Sequence, residues 1–300
     1  MEKYAPIALF VYNRPQHTLK TIEALKANKL ANETKLFIYS DAAKTPEQEE
    51  NVTAVREIVA GVTGFKSVSV MKAKTNFGLA QAIIFGVTDL LRQYERVIVF
   101  EDDLVSSPQT LQYFNDALEF YKTEEKLMHI SAYMYPLNPE QDLPDSFIYR
   151  AVHSWGWATW QRAWQHFNPN IDQLIEGFDK PKIKQFSIEG KMNFWKQMQE
   201  FKKGKNNSWA IRWYASVFLK GGLSLNPSKS LILNIGHDGS GIHSNIEEMY
   251  NGELNMNKIT YFPPTIKENK RAYQAIKTFL THRKGNIFQR IVRFIKQKKY

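Results

Sequence analysis

The sequence predicts an α/β fold built on a mostly parallel sheet flanked by helices, and three observations carry that prediction. Four short, nearly all-apolar runs recur through the first half, stretches of helix spacing separate them, and each run stops at polar or charged residues. Strands covered by helices on both faces have no polar side to present, so they read as continuous apolar runs rather than as alternating ones.

The first run, residues 7 to 12 (IALFVY), closes at Asn13-Arg14-Pro15, after which Leu19, Ile22 and Leu25 repeat at helix spacing. The second, 36 to 39 (LFIY), ends at Ser40-Asp41 and leads into a polar segment of helical composition. A third strand near 67 to 71 precedes KTNFG, and Leu79, Ala82, Ile83, Val87, Leu90 and Leu91 then mark a helix. The fourth, 97 to 100 (VIVF), runs into Glu101, Asp102 and Asp103. Beyond it, Ser107 reads as an N-cap and Pro108 as the first residue of another helix.

Ligands of such sheets bind at the carboxyl ends of the strands. That edge gathers Asn13 and Arg14, Ser40 and Asp41, Asn76 and Gly78, and Glu101 to Asp103. Arginine suits a diphosphate, Asp41 can accept a hydrogen bond from a base N–H, and a carboxylate cluster suits a hard cation. Magnesium and manganese commonly bind one or two carboxylates together with substrate phosphates. Taken singly, each residue reads as an ordinary polar loop end. At four successive strand ends, the set points to a nucleotide diphosphate site.

Composition narrows the classes further. Of 300 residues, 43% are hydrophobic and 13% aromatic, which suits a globular chain with a large core. Cysteine is absent, so disulfides and Cys-ligated zinc or iron–sulfur centres are excluded, and a reducing cytoplasm is the expected setting. The start, MEKYAPIALFVYNRP, lacks the apolar core of a leader, and no run is long enough to span a bilayer. Forty basic against 30 acidic residues give a net charge of +10, which suits an anionic partner. The basic residues are dispersed except at the tail, so nucleic acid is not the expected partner.

FVYNRPQHTLKTIEAL, FIYSDAAK, TNFGLAQAI and VIVFEDDLVSSPQTLQYF resemble, in order, the successive elements of the GT-A (Rossmann-like) nucleotide-sugar glycosyltransferases. The nearest likenesses are bacterial family-2-like sugar transferases and, more distantly, the animal N-acetylglucosaminyltransferase I family, whose acidic motif is also Glu-Asp-Asp-Leu. The resemblance covers approximately residues 5 to 245. It implies that Asp103 ligates a Mn2+ or Mg2+ ion bridging the diphosphate. Glu101 and Asp102 would hold the ribose and donor sugar, Asp41 would read uracil, and Arg14 would meet the nucleotide. It also implies an inverting, metal-dependent transfer to a glycan or lipid-linked acceptor in bacterial surface-polysaccharide synthesis. The expected organisation is one domain over 1–245, with a nucleotide-sugar half at 1–125 and an acceptor half at 126–245, followed by an extension at 246–300.

In the second half, HSWGWATWQRAW sets Trp157, Trp160 and Trp164 at i, i+3 and i+7, a helical stripe of the kind that packs into a core. Trp155 and Gly156 precede it, where an indole face can meet a sugar ring and a glycine lets backbone approach closely. The resemblance includes a Gly-Trp at this place, so Trp155, Gly156 and Trp157 are the expected cleft residues. Ser208 caps a helix reading SWAIRWYASVFL, and short strands around Leu223 and Leu231 are expected to form a hairpin. The loop NIGHDGSGIH, Asn234 to His243, offers backbone N–H groups to phosphate, with His237, Ser240 and His243 as possible contacts.

An inverting transfer needs a general base. The resemblance implies an acid near 207 to 210, yet these residues are Asn207-Ser208-Trp209-Ala210, and an amide cannot serve. Three readings stay open: an alignment shifted by a few residues, a base elsewhere with Asp238 the best candidate, or an inactive form in which Asn207 replaces a catalytic acid. From Lys284 onward, KGNIFQRIVRFIKQKKY sets Ile287, Ile291, Phe294 and Ile295 on one helical face and basic residues on the other. Such a helix suits an anionic membrane surface or a docked position on the domain. Two other classes are weaker. A nucleotidyltransferase making nucleotide sugars would show a Gly-rich basic loop after the first strand, where NRPQHTLK stands, and a non-catalytic nucleic-acid binder would explain the charge but would cluster its basic residues with interleaved aromatics.

Overall fold

The computed structural model describes residues 2–138, 142–236, 250 and 252–283. Asp238, Ser240, His243 and the tail from 284 to 300 lie outside the described residues. The strands are β1 (Ile7–Val11), β2 (Lys35–Ser40), β3 (Ser67–Lys72), β4 (Arg96–Glu101), β5 (Leu104–Ser106), β6 (Leu127–Ser131), β7 (Ser146–Tyr149), β8 (Trp157–Trp160), β9 (Leu223–Pro227) and β10 (Ile232–Asn234). The helices are α1 (Pro15–Lys26), α2 (Glu49–Ala60), α3 (Leu79–Tyr94), α4 (Thr110–Phe120), α5 (Gln161–Trp164), α6 (Ile171–Glu176), α7 (Lys180–Phe186), α8 (Phe194–Lys202), α9 (Trp209–Leu219) and α10 (Lys270–His282).

The large sheet has the order β3-β2-β1-β4-β8-β6-β9-β7. β1 to β4 are mutually parallel, β6 and β9 run the same way, and β8 and β7 run against them. The result is the mostly parallel α/β architecture that the sequence predicts. β5 and β10 pair antiparallel in a small separate sheet.

Helices cover both faces, which accounts for the unbroken apolar runs. Ile7, Leu9 and Val11 of β1 enter one core with Ile22 and Leu25 of α1, Val55 and Val59 of α2, and Phe114 and Leu118 of α4. Ala8 and Phe10 enter the other, with Ile83, Val87 and Leu90 of α3 and Trp213 of α9. Leu19 departs from the expected stripe: it is 42% exposed, and Thr18 and Thr21 share the buried face of α1 with Ile22 and Leu25. Leu79 is likewise exposed at the start of α3.

Three local expectations are corrected. Trp157 and Trp160 lie on a strand, not on a helical stripe, and alternation sends their side chains into opposite cores, Trp157 with Trp164 and Trp213, Trp160 with Leu118 and Ala158. β9 and β10 are not a hairpin: β9 lies between β6 and β7 in the large sheet, whereas β10 leaves it to pair with β5. Ser107 does not cap α4, because its hydroxyl accepts from the Gln109 N–H inside a preceding turn and α4 begins at Thr110. Ser208 does cap α9, accepting from the Ile211 N–H at 3.2 Å.

The second core holds a buried histidine with both ring nitrogens committed. Trp213 Nε1–H donates to His129 Nδ1 at 3.1 Å, His129 Nε2 lies 3.0 Å from the His153 carbonyl, and the imidazole stacks on Trp157. A second ring proton would confront the Trp213 N–H, and burial holds the pKa of His129 down at about 3. The unfolded chain therefore takes up a proton below pH ~6.5 that the folded chain refuses, so this contribution is intact above that pH and is lost as pH falls toward 3. The stability difference between the wild type and His129→Gln, measured by urea denaturation, is expected to shift against the wild type by about 2 kcal/mol between pH 7 and pH 5. A pH-independent difference would refute the assignment of a neutral, locked imidazole.

Candidate functional site at the carboxyl edge of the sheet

The chain builds β1, β2 and β3 outward in one direction and then places β4 on the other side of β1. The order therefore reverses between β1 and β4, the point on the carboxyl edge where ligands of open α/β sheets bind in a crevice. The two strand ends at this crevice carry Asn13-Arg14 and Glu101-Asp102-Asp103.

Arg14 and Asp103 meet across the crevice. Arg14 Nη1 donates to Asp103 Oδ2 at 2.9 Å, and Nη2 donates to the Gly236 carbonyl at 3.2 Å. The backbone after β10 completes the contact, with the Ile235 N–H donating to the Asp103 carbonyl at 2.9 Å and His17 Nε2 3.2 Å from the Ile235 carbonyl. Gly236 lets the backbone approach closely here, since a Cβ would stand 2.1 Å from Asp103 Oδ2. The side chains of Arg14 and Asp103 keep 15% and 18% of their surface open. Asn13 is half-buried beside them.

The other two acids of the cluster sit differently. Asp102 turns back to β1, its carboxylate accepting from the Tyr12 N–H at 3.2 Å and its carbonyl from the Thr21 hydroxyl at 2.8 Å. It is 9% exposed, so the expected contact between Asp102 and the donor is replaced by a structural tie between the ends of β4 and β1. Burial, then the charges of Asp103 and Asp102, raise the proton affinity of Glu101 well above that of an ordinary carboxylate, with Arg14 opposing. Burial and then Asp103 push Asp102 up to about 7, again against Arg14.

Asp41 has a different task from base reading. Its Oδ1 accepts from the Ala42 and Phe77 N–H groups, both at 2.9 Å, and its Oδ2 from the Gly78 N–H at 2.8 Å and Asn76 Nδ2 at 3.1 Å. A carboxylate offers about four acceptor sites, so none remains for uracil. Asn76 also donates to the Ala42 carbonyl at 2.7 Å, and Gly78 takes a φ of +73°, in the region that favours glycine. Arg56, which the strand-end reading did not reach, donates to the Ala73 carbonyl at 2.8 Å and so holds the same loop from α2.

Farther along this edge, β8 and β6 bring Trp155, Tyr133 and Tyr135 to a cavity of about 700 Å3. Trp155 is half-buried and meets the Tyr133 ring edge-on at 4.4 Å. Gly156 does not face the cleft: a Cβ there would meet Ile232 at 2.9 Å, and its φ of +65° serves that packing. Trp157 is also withdrawn from the cleft, fully buried between His129 and Trp209. Asn207 is exposed one residue before the Ser208 cap, and Asn206 fixes that turn by accepting from the Ser208 N–H at 3.1 Å. Ser208, not Asn207, lines the cavity.

The fit of a divalent cation rests on the chemistry of these acids. Among the described residues, no three His, Asp or Glu side chains converge as a preformed metal cage. Asp103 presents one carboxylate to the crevice, and the carboxylates crowded behind it gain from any nearby positive charge. This donor set fits a hard ion whose remaining ligands come from substrate phosphates.

No protein-family model and no curated protein matches the sequence. Among solved structures, the chain is similar to the mannosyltransferase PcManGT from Pyrobaculum calidifontis, in complex with GDP-Man and Mn2+, at 12% identity and a TM-score of 0.39 over 72% of this chain and 70% of that one. It is similar to residues 1–349 of S. aureus TarS at 10% identity and a TM-score of 0.41, over 76% of this chain and 59% of that one. It is also similar to the galactosyltransferase LgtC, in complex with donor and acceptor sugar analogues, at 11% identity and a TM-score of 0.37, over 73% and 72% of the two chains. The protein has a mixed α/β fold with a large central sheet flanked by helices.

Proposed function

We propose that the protein is a glycosyltransferase moving a sugar, with inversion, from a uridine diphosphate donor to a glycan or lipid-linked acceptor. The observation that carries this reading is the meeting of Arg14 and Asp103 at the point where the strand order reverses. A guanidinium and a hard oxygen ligand, paired with each other and part-open at a nucleotide-binding crevice, are what a diphosphate and its counter-ion displace and share.

In this reading Arg14 turns from Asp103 to the diphosphate, and Asp103, with Glu101 behind it, would hold Mn2+ or Mg2+. The bound ion would neutralise charge on the departing nucleotide diphosphate. The loop that Asp41 pins, Asn76 to Gly78, supports the nucleoside, and Trp155 offers its ring to the sugar. A nucleotidyltransferase is less well supported, because the turn from Val11 to Pro15 carries no glycine-rich loop. The test is a thermal-shift panel of nucleotide sugars with and without manganese. A ligand binding only the folded state at a hundred times its Kd adds about 2.7 kcal/mol of stability. A manganese-dependent rise with uridine diphosphate sugars is expected, and a flat panel would discard the proposal.

The base is a separate question. If Asn207 replaces a catalytic acid, Asn207→Asp sets a carboxylate beside Ser208 at the cavity rim and should raise transfer by at least about 10²-fold, the usual scale of general base catalysis. No gain, together with a comparable loss in Asp238→Ala, assigns the base to Asp238.

A further inference from the structure

The cavity beside Trp155 has walls of one electrical character. Its rings are Tyr133, Tyr135, Trp155, Phe194, Tyr214 and Tyr250, its amides are Asn193 and Gln197, and its ionised side chains are Lys191 and Arg283. No aspartate or glutamate lines it among the described residues.

Neither cation is neutralised by a carboxylate among the described residues. Arg283 Nη1 donates to the carbonyls of Lys191 and Leu280, at 3.1 and 3.0 Å, so the guanidinium is held in place by neutral acceptors. Among the described residues, no carboxylate lies within ion-pair distance of Arg283 or Lys191, although both are half-buried. Half-buried cations without a counter-charge are costly, and an anionic ligand offsets that cost.

Two further features add to the preference. Ser208, Ala210 and Ile211 bring the amino end of α9, eleven residues long, into the wall, where the helix dipole favours negative charge. His153 belongs to the same wall, with its Nε2 buried behind it and without a hydrogen-bond partner among the described residues. Aromatic faces with a few amide and hydroxyl groups suit a saccharide ring, and the cations add a requirement that a neutral sugar does not meet.

We infer that this cavity takes an anionic saccharide, one that carries a carboxylate or a phosphate, as the acceptor of the transfer. The word acceptor rests on the transferase reading, whereas the binding preference does not.

The test measures binding of glucuronate, glucose 6-phosphate and glucose to the full chain, by Trp fluorescence or ligand-observed NMR, with no nucleotide present. At least one of the two anionic sugars should bind ten-fold or more tighter than glucose, and which one does so separates carboxylate from phosphate recognition. The double variant Lys191→Gln/Arg283→Gln should erase the difference, and Lys191→Gln alone should reduce it, which covers the case in which the double variant does not fold. Equal binding of all three sugars, or a preference untouched by these substitutions, overturns the inference. So does inorganic phosphate binding as tightly as glucose 6-phosphate with no sugar preference. Binding of uridine diphosphate sugars is measured in parallel. Nucleotide binding without the anionic preference removes this inference alone, and the anionic preference without nucleotide binding keeps the cavity and removes the transferase reading.

Discussion

Asp103→Asn is expected to lower sugar transfer by at least about 10²-fold, the scale seen when one preorganised electrostatic contact to a developing charge is removed. The amide keeps the shape of the side chain and one acceptor oxygen. It loses the charge that orders Arg14 at 2.9 Å and that would hold a divalent ion against the diphosphate. Stability should barely change, for a reason specific to this cluster. The substitution forfeits a part-exposed ion pair, worth no more than about 1 kcal/mol. It also relieves Glu101 and Asp102 of the like charge that raises the proton affinity of both. A variant with unchanged melting temperature and nearly complete loss of transfer is the expected result. Retention of activity within a few-fold of wild type would remove Asp103 from the reaction.

Asp41→Ala should do the reverse, with a large loss of stability and an indirect loss of nucleotide binding. Four donors converge on the Asp41 carboxylate, three of them backbone N–H groups, and the residue is only 8% exposed. Hydrogen bonds to a charged acceptor contribute about 1.5–3 kcal/mol each, and their losses overlap when one loop carries them all. A net loss of roughly 3–5 kcal/mol is expected on that scale, a drop of about 5–8 °C in melting temperature. Asp41→Asn, which keeps one acceptor oxygen, should show about half the effect. If Asp41→Ala melts with the wild type and loses only uridine affinity, the side chain reads the base after all.

The first half of the fold was legible because its signals are local. Residues 7 to 12, 36 to 39 and 97 to 100 are apolar on both faces, and no other common element combines that composition with such shortness. Trp157 to Trp164 misled because four residues of strand followed by four of helix put bulky rings at spacings that also fit one helix. β10 could not be separated from β9 by pattern, since pairing with β5 is a long-range choice.

At the candidate site, the strand-end rule pointed to Arg14, Asp41 and Asp103, but it could not say what each side chain faces. Asp41 and Asp102 are consumed by backbone N–H groups of Gly78 and Tyr12, and a main-chain donor leaves no mark on the sequence. The same limit hid Lys191 and Arg283, which are separated by more than ninety residues and share a cavity only because the Lys191 carbonyl receives the Arg283 guanidinium.

β8 also sets a timetable for the growing chain. The edge of β4 away from β1 is completed only by Trp157–Trp160, so a nascent chain that stops short of them carries a bare, apolar strand edge from Val97 to Val99. Such an edge invites pairing with a neighbouring chain. The first 125 residues, although they supply all of β1 to β4, should therefore be recovered largely as aggregate when expressed alone. A ribosome that pauses between the acid cluster and Trp157 leaves that edge open for as long as the pause lasts.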